Sequence, residues 1–221
     1  MREIVLDTET TGLDPAAGHR IVEVAAIELV NTVPTGASFH RYANPEREMP
    51  SEAFEIHGLS DAFLSQHATF DQLVEELLGF IGDASLVIHN AEFDMRFLNA
   101  ELARCGRPPL GSDRATCTLQ MARRRFPGAQ ASLDALCKRF AIDNSHRTKH
   151  GALLDAELLA AVYLELIGGR QHGLELAAEG GAESAAIERV LRPARPHAAS
   201  EAELVAHEAL LAKLKNPLWN A

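Results

Sequence analysis

The segment Met1–Gly12 reads M-R-E-I-V-L-D-T-E-T-T-G, a short apolar run that ends in two acids and breaks at Thr10-Thr11-Gly12. Side chains alternate faces along a strand, so Asp7 and Glu9 share one face at the end of a strand whose other residues are of the buried type. Two neighbouring carboxylates repel each other and are costly unless something positive lies between them. A divalent metal ion meets that need. The alternative is a surface strand ending in solvated acids, and the rest of the chain must decide between them.

Working outward, Leu13–His19 is a loop with Asp14-Pro15 and Gly18 as breakers, and Arg20–Asn31 is a Val/Ile-rich strand. Thr35-Gly36 marks a turn into a third short strand, Ala37–Tyr42, which predicts an antiparallel meander. Ser51–Phe63 gives two brief helical turns broken at His57-Gly58. Thr69–Ile81 carries Phe70, Leu73, Val74, Leu77, Leu78 and Ile81 at helical spacing. Leu86–Ile88 is a buried-type strand, and Glu92–Arg104 a helix with Phe93, Phe97, Leu98 and Leu102 on one face. Arg114–Arg125 begins as a strand and becomes a helix; Ser132 caps another that reaches Phe140; Ala152–Ile167 is the clearest helix of the chain. Strands first and strand–helix alternation afterwards predict a mixed α/β layered domain.

The hydrophobic fraction of the 221 residues is 47%, enough for a proper core, and no run approaches a membrane span of about 18 apolar residues. The N-terminus has no secretory pattern. Cys105, Cys117 and Cys137 are odd in number and lack C-x-x-C spacing, so neither a disulfide framework nor a zinc site is suggested and three small buried hydrophobes are predicted. These features predict a cytoplasmic protein with no membrane partner. A net charge of -10 argues against nucleic acid on charge alone, yet bound cations can offset acids at the one place phosphate approaches.

Three stretches can complete the opening pair. In H-N-A-E-F-D (His89–Asp94), Asp94 stands on the first turns of a helix, where acids also occur for dipole reasons. In H-G-A-L-L-D (His150–Asp155), Asp155 lies among Leu153, Leu154, Leu158 and Leu159, expensive unless paired or metal-bound. His150 precedes that helix beside Gly151, free to lean over the same site or simply to be solvated. In F-E-I-H-G-L-S (Phe54–Ser60), His57 and its apolar neighbours line a pocket or pack. The inventory of Asp7, Glu9, Asp94, Asp155 and His150 suits two-metal phosphodiester hydrolysis, in which ions about 3.5–4 Å apart flank the scissile phosphate. Hard carboxylate ligands favour Mg²⁺ or Mn²⁺, and a histidine can take the proton of the attacking water.

D-T-E-T-T-G (Asp7–Gly12), H-N-A-E-F-D (His89–Asp94) and H-G-A-L-L-D-A (His150–Ala156) resemble, in order, the three motifs of the DEDD-type 3′–5′ exonucleases of the histidine subgroup. Segments such as E-A-F-E-I-H-G-L-S-D-A-F-L and S-L-D-A-L-C-K-R-F-A-I-D-N-S extend the likeness to the proofreading epsilon-type subunits of bacterial DNA polymerase III, over about the first 176 residues. The resemblance implies a ribonuclease H-like fold: a five-stranded mixed sheet flanked by helices, with a flexible C-terminal tail. It implies that Asp7, Glu9, Asp94 and Asp155 hold two divalent ions, Mg²⁺ or Mn²⁺, and that His150 is the general base. Thr10, Thr11 and Gly12 would approach the terminal nucleotide, Ile56 and His57 would border its base, and Asn90 and Phe93 would support the site. Cys117 departs from relatives that carry Asp there.

Beyond the exonuclease domain (residues 1–170) the composition shifts to Ala, Gly, Glu and Pro, a linker over 171–199. Gln171, Leu174 and Leu176 resemble a weak sliding-clamp motif. Ser200 and Glu203 fit a capping box, and residues 200–221, with Leu204, Leu211, Leu214 and Trp219, read as an anchor for the polymerase alpha subunit. Arg123, Arg124, Arg125, Arg147 and Lys149 are candidates for phosphate contacts to a single-stranded 3′ end of DNA, or a solvated charged surface. The competing expectations are a cytoplasmic 3′–5′ exoribonuclease that trims short RNAs, and a non-catalytic module that stabilises a polymerase.

Overall fold

The computed structural model describes residues 1–145, 149–168 and 198–215. The chain forms two units, Met1–Leu174 and Glu175–Ala221. In the first, strands β1 (Arg2–Thr10), β2 (Ile21–Val30), β3 (Val33–Tyr42), β4 (Ser85–Ile88) and β5 (Ala115–Cys117) form a single sheet in the order β3-β2-β1-β4-β5. The first three are antiparallel, as the meander requires, and β4 and β5 add in parallel on the other side of β1.

Helices cover both faces, which is why β1 and β4 are buried almost throughout, with apolar cores Ile4–Leu6 and Leu86–Ile88. Ile4 and Leu6 point into a core built with α3 (Phe70–Ile81) and α4 (Ala91–Arg104). Val5 points the other way, against α5 (Thr118–Arg125), α6 (Leu133–Arg139) and α7 (Ala152–Ile167). The same alternation puts Glu3, Asp7 and Glu9 on the α7 face and Thr8 on the α4 face. Two short helices, α1 (Ser51–His57) and α2 (Asp61–Leu64), pack a smaller core around Val22, Met49, Ala53 and Leu64.

The reversal between β2 and β3 lies at Asn31-Thr32, both at positive φ (50° and 68°), rather than at Thr35-Gly36. β3 therefore starts at Val33, and Thr35-Gly36 belongs to a bulge opposite Glu28, where the register shifts and Gly36 takes φ 88°. A glycine break reads alike in a turn and a bulge. The cysteine expectation holds only for Cys137, which is buried; Cys105 and Cys117 are partly exposed. Arg125, exposed like Arg123 and Arg124, also takes a structural role that the sequence did not suggest. Its guanidinium donates to the Glu165 and Leu166 carbonyls (2.8 and 2.6 Å), capping the C-terminal end of α7. That end is about 16 Å along the helix from Asp155. Arg123 and Arg124 are exposed, and Arg147 lies outside the described residues.

In the second unit, α8 (Glu201–Leu211) starts at the expected capping box: Ser200 Oγ accepts from Glu203 N–H, and Glu203 accepts from Ser200 N–H at 2.7 Å. Leu204, Val205 and Leu210 are exposed, and Leu214, beyond the helix, is too. Gln171, Leu174, Leu176 and Trp219 lie outside the described residues, as does most of the expected linker.

Candidate active site

Three pieces of chain converge at the C-terminal end of β1. Strand alternation presents Asp7 and Glu9 on the α7 face. The first turn of α7 brings Asp155 to them from that layer, while α4 delivers Asp94 from the opposite layer. Thr8, pointing toward α4, donates to Asp94 Oδ1 at 2.7 Å and fixes that carboxylate where the layers meet. Asp94 and Asp155 are 3% and 4% exposed, so neither is a solvated helix-start acid.

The acids are electrostatically unfavourable together. Burial raises Asp7 well above the ordinary carboxylate range, and the charges of Asp94, Glu9, Asp155 and Glu23 push it further. Burial also raises Asp94, to about 7, against the opposing hydrogen bond from Thr8. The solvated-strand-end alternative fails on this geometry. His150 adds the one basic group in the cluster: its Nδ1 lies 3.4 Å from Asp155 Oδ2. Ligating atoms of Glu9, His150 and Asp155 all lie within 4.8 Å of one another, a spacing and donor set that fit a divalent cation.

The cluster borders a cleft of about 660 Å³ lined by Thr10, Thr11, Gly12, Ile56, His57, Phe93 and His150. It therefore gathers all the expected nucleotide-contact residues except Asn90, Asp7 and Asp155. Asn90 instead takes the left-handed conformation (φ 63°) as the residue before α4, exposed, in the turn that aims Asp94. The α1 wall is tied to the His150 loop because His150 N–H donates to the Ile56 carbonyl at 3.1 Å. Lys149 Nζ lies 5.1 Å from the centre of the Phe54 ring, a cation–π contact that holds its charge against α1. His57 is buried, and its Nδ1 accepts from Leu59 N–H at 3.0 Å. Desolvation holds it below the usual histidine range, aided by the Lys149 and His150 charges. Ile56 stays half exposed, an apolar surface facing the cleft.

Sequence reading missed several supports. Arg20 forms a two-pronged pair with buried Glu101, Nε–Oε1 at 2.6 Å and Nη2–Oε2 at 2.8 Å, clamping the start of β2 to α4. Tyr163 on α7 donates to buried Glu3 at 2.7 Å. His19 packs over Gly12, where a Cβ would collide with its ring. A larger groove, about 910 Å³, runs beside α4 and α5 and includes none of the four clustered acids.

Residues 4–163 match the exonuclease family of the RNase T type. The DNA polymerase III subunit epsilon of Rickettsia felis is 56% identical over 179 residues, covering 80% of this chain and 78% of that protein. That of Escherichia coli K12 is 43% identical over 238 aligned residues, covering 100% of this chain and 98% of its own. The chain belongs to the exonuclease family of DNA polymerase III epsilon subunits. As a member of that family it is a 3′–5′ proofreading exonuclease, and the RNA-trimming alternative is not favoured. Among solved structures, the nuclease domain of 3′hExo, a DEDDh family member bound to rAMP, aligns with a TM-score of 0.64 at 19% identity, covering 75% of this chain and 91% of that one. Exonuclease X in complex with 5′-overhanging duplex DNA aligns with a TM-score of 0.57 at 24% identity, covering 75% and 90%. Both share the ribonuclease H-like fold. This exonuclease family is generally dependent on divalent metal.

Proposed function

We propose that this chain removes mispaired 3′-terminal nucleotides from DNA by hydrolysis at a two-metal site within a replicative polymerase of the bacterial cytoplasm. The observation that carries the reading is the convergence of Asp7, Glu9, Asp94 and Asp155 with His150 at the end of β1. Those four carboxylates would hold two ions, Mg²⁺ or Mn²⁺. When bound, such ions polarise the scissile phosphate and lower the pKa of the attacking water. His150 receives the proton of that water at Nε2 while Nδ1 stays beside Asp155 Oδ2.

Thr10, Thr11 and Gly12 form the floor on which the terminal nucleotide rests, Ile56 and His57 border its base, and Phe93 closes the far wall. Asn90 supports the site by holding the turn before α4. Lys149, next in the chain to His150 and stacked on Phe54 of α1, would meet a phosphate of the incoming strand. A frayed single strand enters such a cleft more readily than a paired end, so selection follows from the lower cost of unpairing a wrong base.

The relatives' name supports association with a polymerase III core. Residues 200–221, including Leu211, Leu214 and Trp219, would bind the alpha subunit, with the exposed leucines of α8 as the apolar surface. Gln171, Leu174 and Leu176 would engage the sliding clamp, and the stretch 171–199 would serve as a tether that keeps the nuclease concentrated at the primer end. The test is mononucleotide release from a 3′-mispaired primer, with and without Mg²⁺, for the wild type and for Asp155→Ala. Metal-dependent release lost in Asp155→Ala is expected. Release by Asp155→Ala, or a strong preference for an RNA oligonucleotide, overturns the reading. Deleting residues 199–221 should abolish retention of the polymerase subunit in a pull-down while leaving that release intact.

A further inference from the structure

The hydrogen bonds around Thr11 determine which nitrogen of His19 carries the proton. Thr11 is fully buried, so its hydroxyl proton needs a protein acceptor. Thr11 Oγ1 already accepts from Arg20 N–H at 3.0 Å, and its other neighbour is His19 Nδ1 at 3.1 Å. The hydroxyl has one proton, and among the described residues His19 Nδ1 is the acceptor it reaches. Nδ1 must then be the bare nitrogen, which leaves the proton of the neutral ring on Nε2. The backbone fixes this arrangement from both sides, because Thr11 N–H also donates to the Arg20 carbonyl at 2.9 Å.

The ring so oriented lies over Gly12 and forms part of the wall of the cleft that also holds Ile56, His57 and Phe93. Gly12 has no Cβ because the imidazole occupies that space. Among the described residues no hydrogen bond is made by His19 Nε2, although the ring is only partly exposed. A pre-oriented donor beside the nucleotide cleft is a recognition group in waiting.

We propose that His19 is a substrate-binding residue: its Nε2–H donates to an acceptor on the nucleotide seated in the cleft, with Thr11 setting the tautomer. The proposal rests on the reading of this cleft as the seat of a 3′-terminal nucleotide. The acceptor is a base-edge or a sugar–phosphate oxygen or nitrogen, chemistries that a series of substrates separates.

The experiment uses the full chain, Mg²⁺ and single-stranded oligonucleotides ending in each of the four nucleotides. His19→Asn keeps an acceptor near Nδ1 and removes the Nε2 donor; His19→Gln reaches the Nε2 position with an amide N–H. Losing one neutral hydrogen bond predicts that His19→Asn raises KM about fivefold to tenfold, with kcat within about twofold and the thermal midpoint unchanged. His19→Gln restores most of the affinity. A penalty that varies with the terminal base places the acceptor on the base edge, and a uniform one places it on the backbone; either supports the proposal. Wild-type KM in His19→Asn, with the loss appearing in His19→Gln instead, overturns it and makes His19 a positioning residue acting through Thr11. Equal losses in both variants, tracking a lowered thermal midpoint, overturn it too. If the wild type releases no nucleotide at all, the reading of the cleft has failed, which is a different result from any of these.

Discussion

Two groups of buried acids in this fold are handled in opposite ways. Glu3, Glu23 and Glu101 are each almost inaccessible and each met by a dedicated donor: Tyr163 at 2.7 Å, His40 at 2.7 Å and the Arg20 guanidinium at 2.6 Å. Asp7, a few residues along β1 from Glu3, is pushed upward in pKa by burial and by the neighbouring carboxylates, and Asp94, a few residues along α4 from Glu101, is pushed upward by burial in spite of the hydrogen bond from Thr8. The first group behaves as fold-building material, where loss of the partner leaves an uncompensated charge. The second is unfavourable as it stands and becomes favourable only when protons or cations arrive. A cluster that costs stability in a fold that pairs its other acids so carefully is the mark of a working site.

That contrast can be broken by experiment. The largest effect belongs to the second group: Asp155→Asn should lower exonuclease turnover about a thousandfold or more, corresponding to the several kcal/mol of charge stabilisation that metal-assisted hydrolysis draws on. Steady-state release of mononucleotides measures it. Next comes the first group: Glu101→Ala strands the Arg20 guanidinium, and denaturant unfolding should show a loss of about 3 kcal/mol. Activity per folded molecule should fall far less than in Asp155→Asn. A Glu101→Ala protein as stable as the wild type would erase the distinction between the groups.

The pH dependence gives a smaller but signed effect. The Asp94 carboxyl titrates at about 7 in the folded, metal-free protein and near 4 in an unfolded chain. Its contribution to stability is therefore present below about pH 4 and lost as the pH rises through about 7. Asp7 shifts in the same direction. Divalent cations take over from the protons, so the gain in thermal midpoint on adding Mn²⁺ should be small at pH 5 and larger at pH 8. Calorimetry at the two values would show no gain from Mn²⁺ at either pH if the acids were held by protein partners alone.

How much of this was legible in the sequence follows from how local each feature is. The strands, the longer helices and the shared face of Asp7 and Glu9 follow from periods of two and of 3.6 residues, which a single stretch carries whole, while the five-stranded mixed sheet followed only from the motif resemblance. Asp155 was readable because an acid among leucines stands out on a helix, whereas Asp94, at a helix start where acids are common, was singled out by the motif it shares with the exonucleases. The supports were not readable. Thr8 meets Asp94 across 86 positions, Arg20 meets Glu101 across 81, and nothing in either local pattern announces the partner. Arg125 shows the converse failure, since a basic run looks identical whether it meets phosphate, water or the carbonyls of α7. The glycine of the β3 bulge was mistaken for a turn because both need the same positive φ. His19 fell in a stretch that reads only as loop, and its meaning comes from the space left by Gly12.

The central claim is that the opening acids are a destabilising cluster completed by cations. Its most direct test is the thermal midpoint of Asp7→Asn beside the wild type, each without metal and with saturating Mn²⁺, at pH 8. The account predicts that the metal-free variant melts above the metal-free wild type, gains little from Mn²⁺ and has lost its nuclease turnover. A variant that melts lower without metal, as a member of the partnered group would, contradicts it.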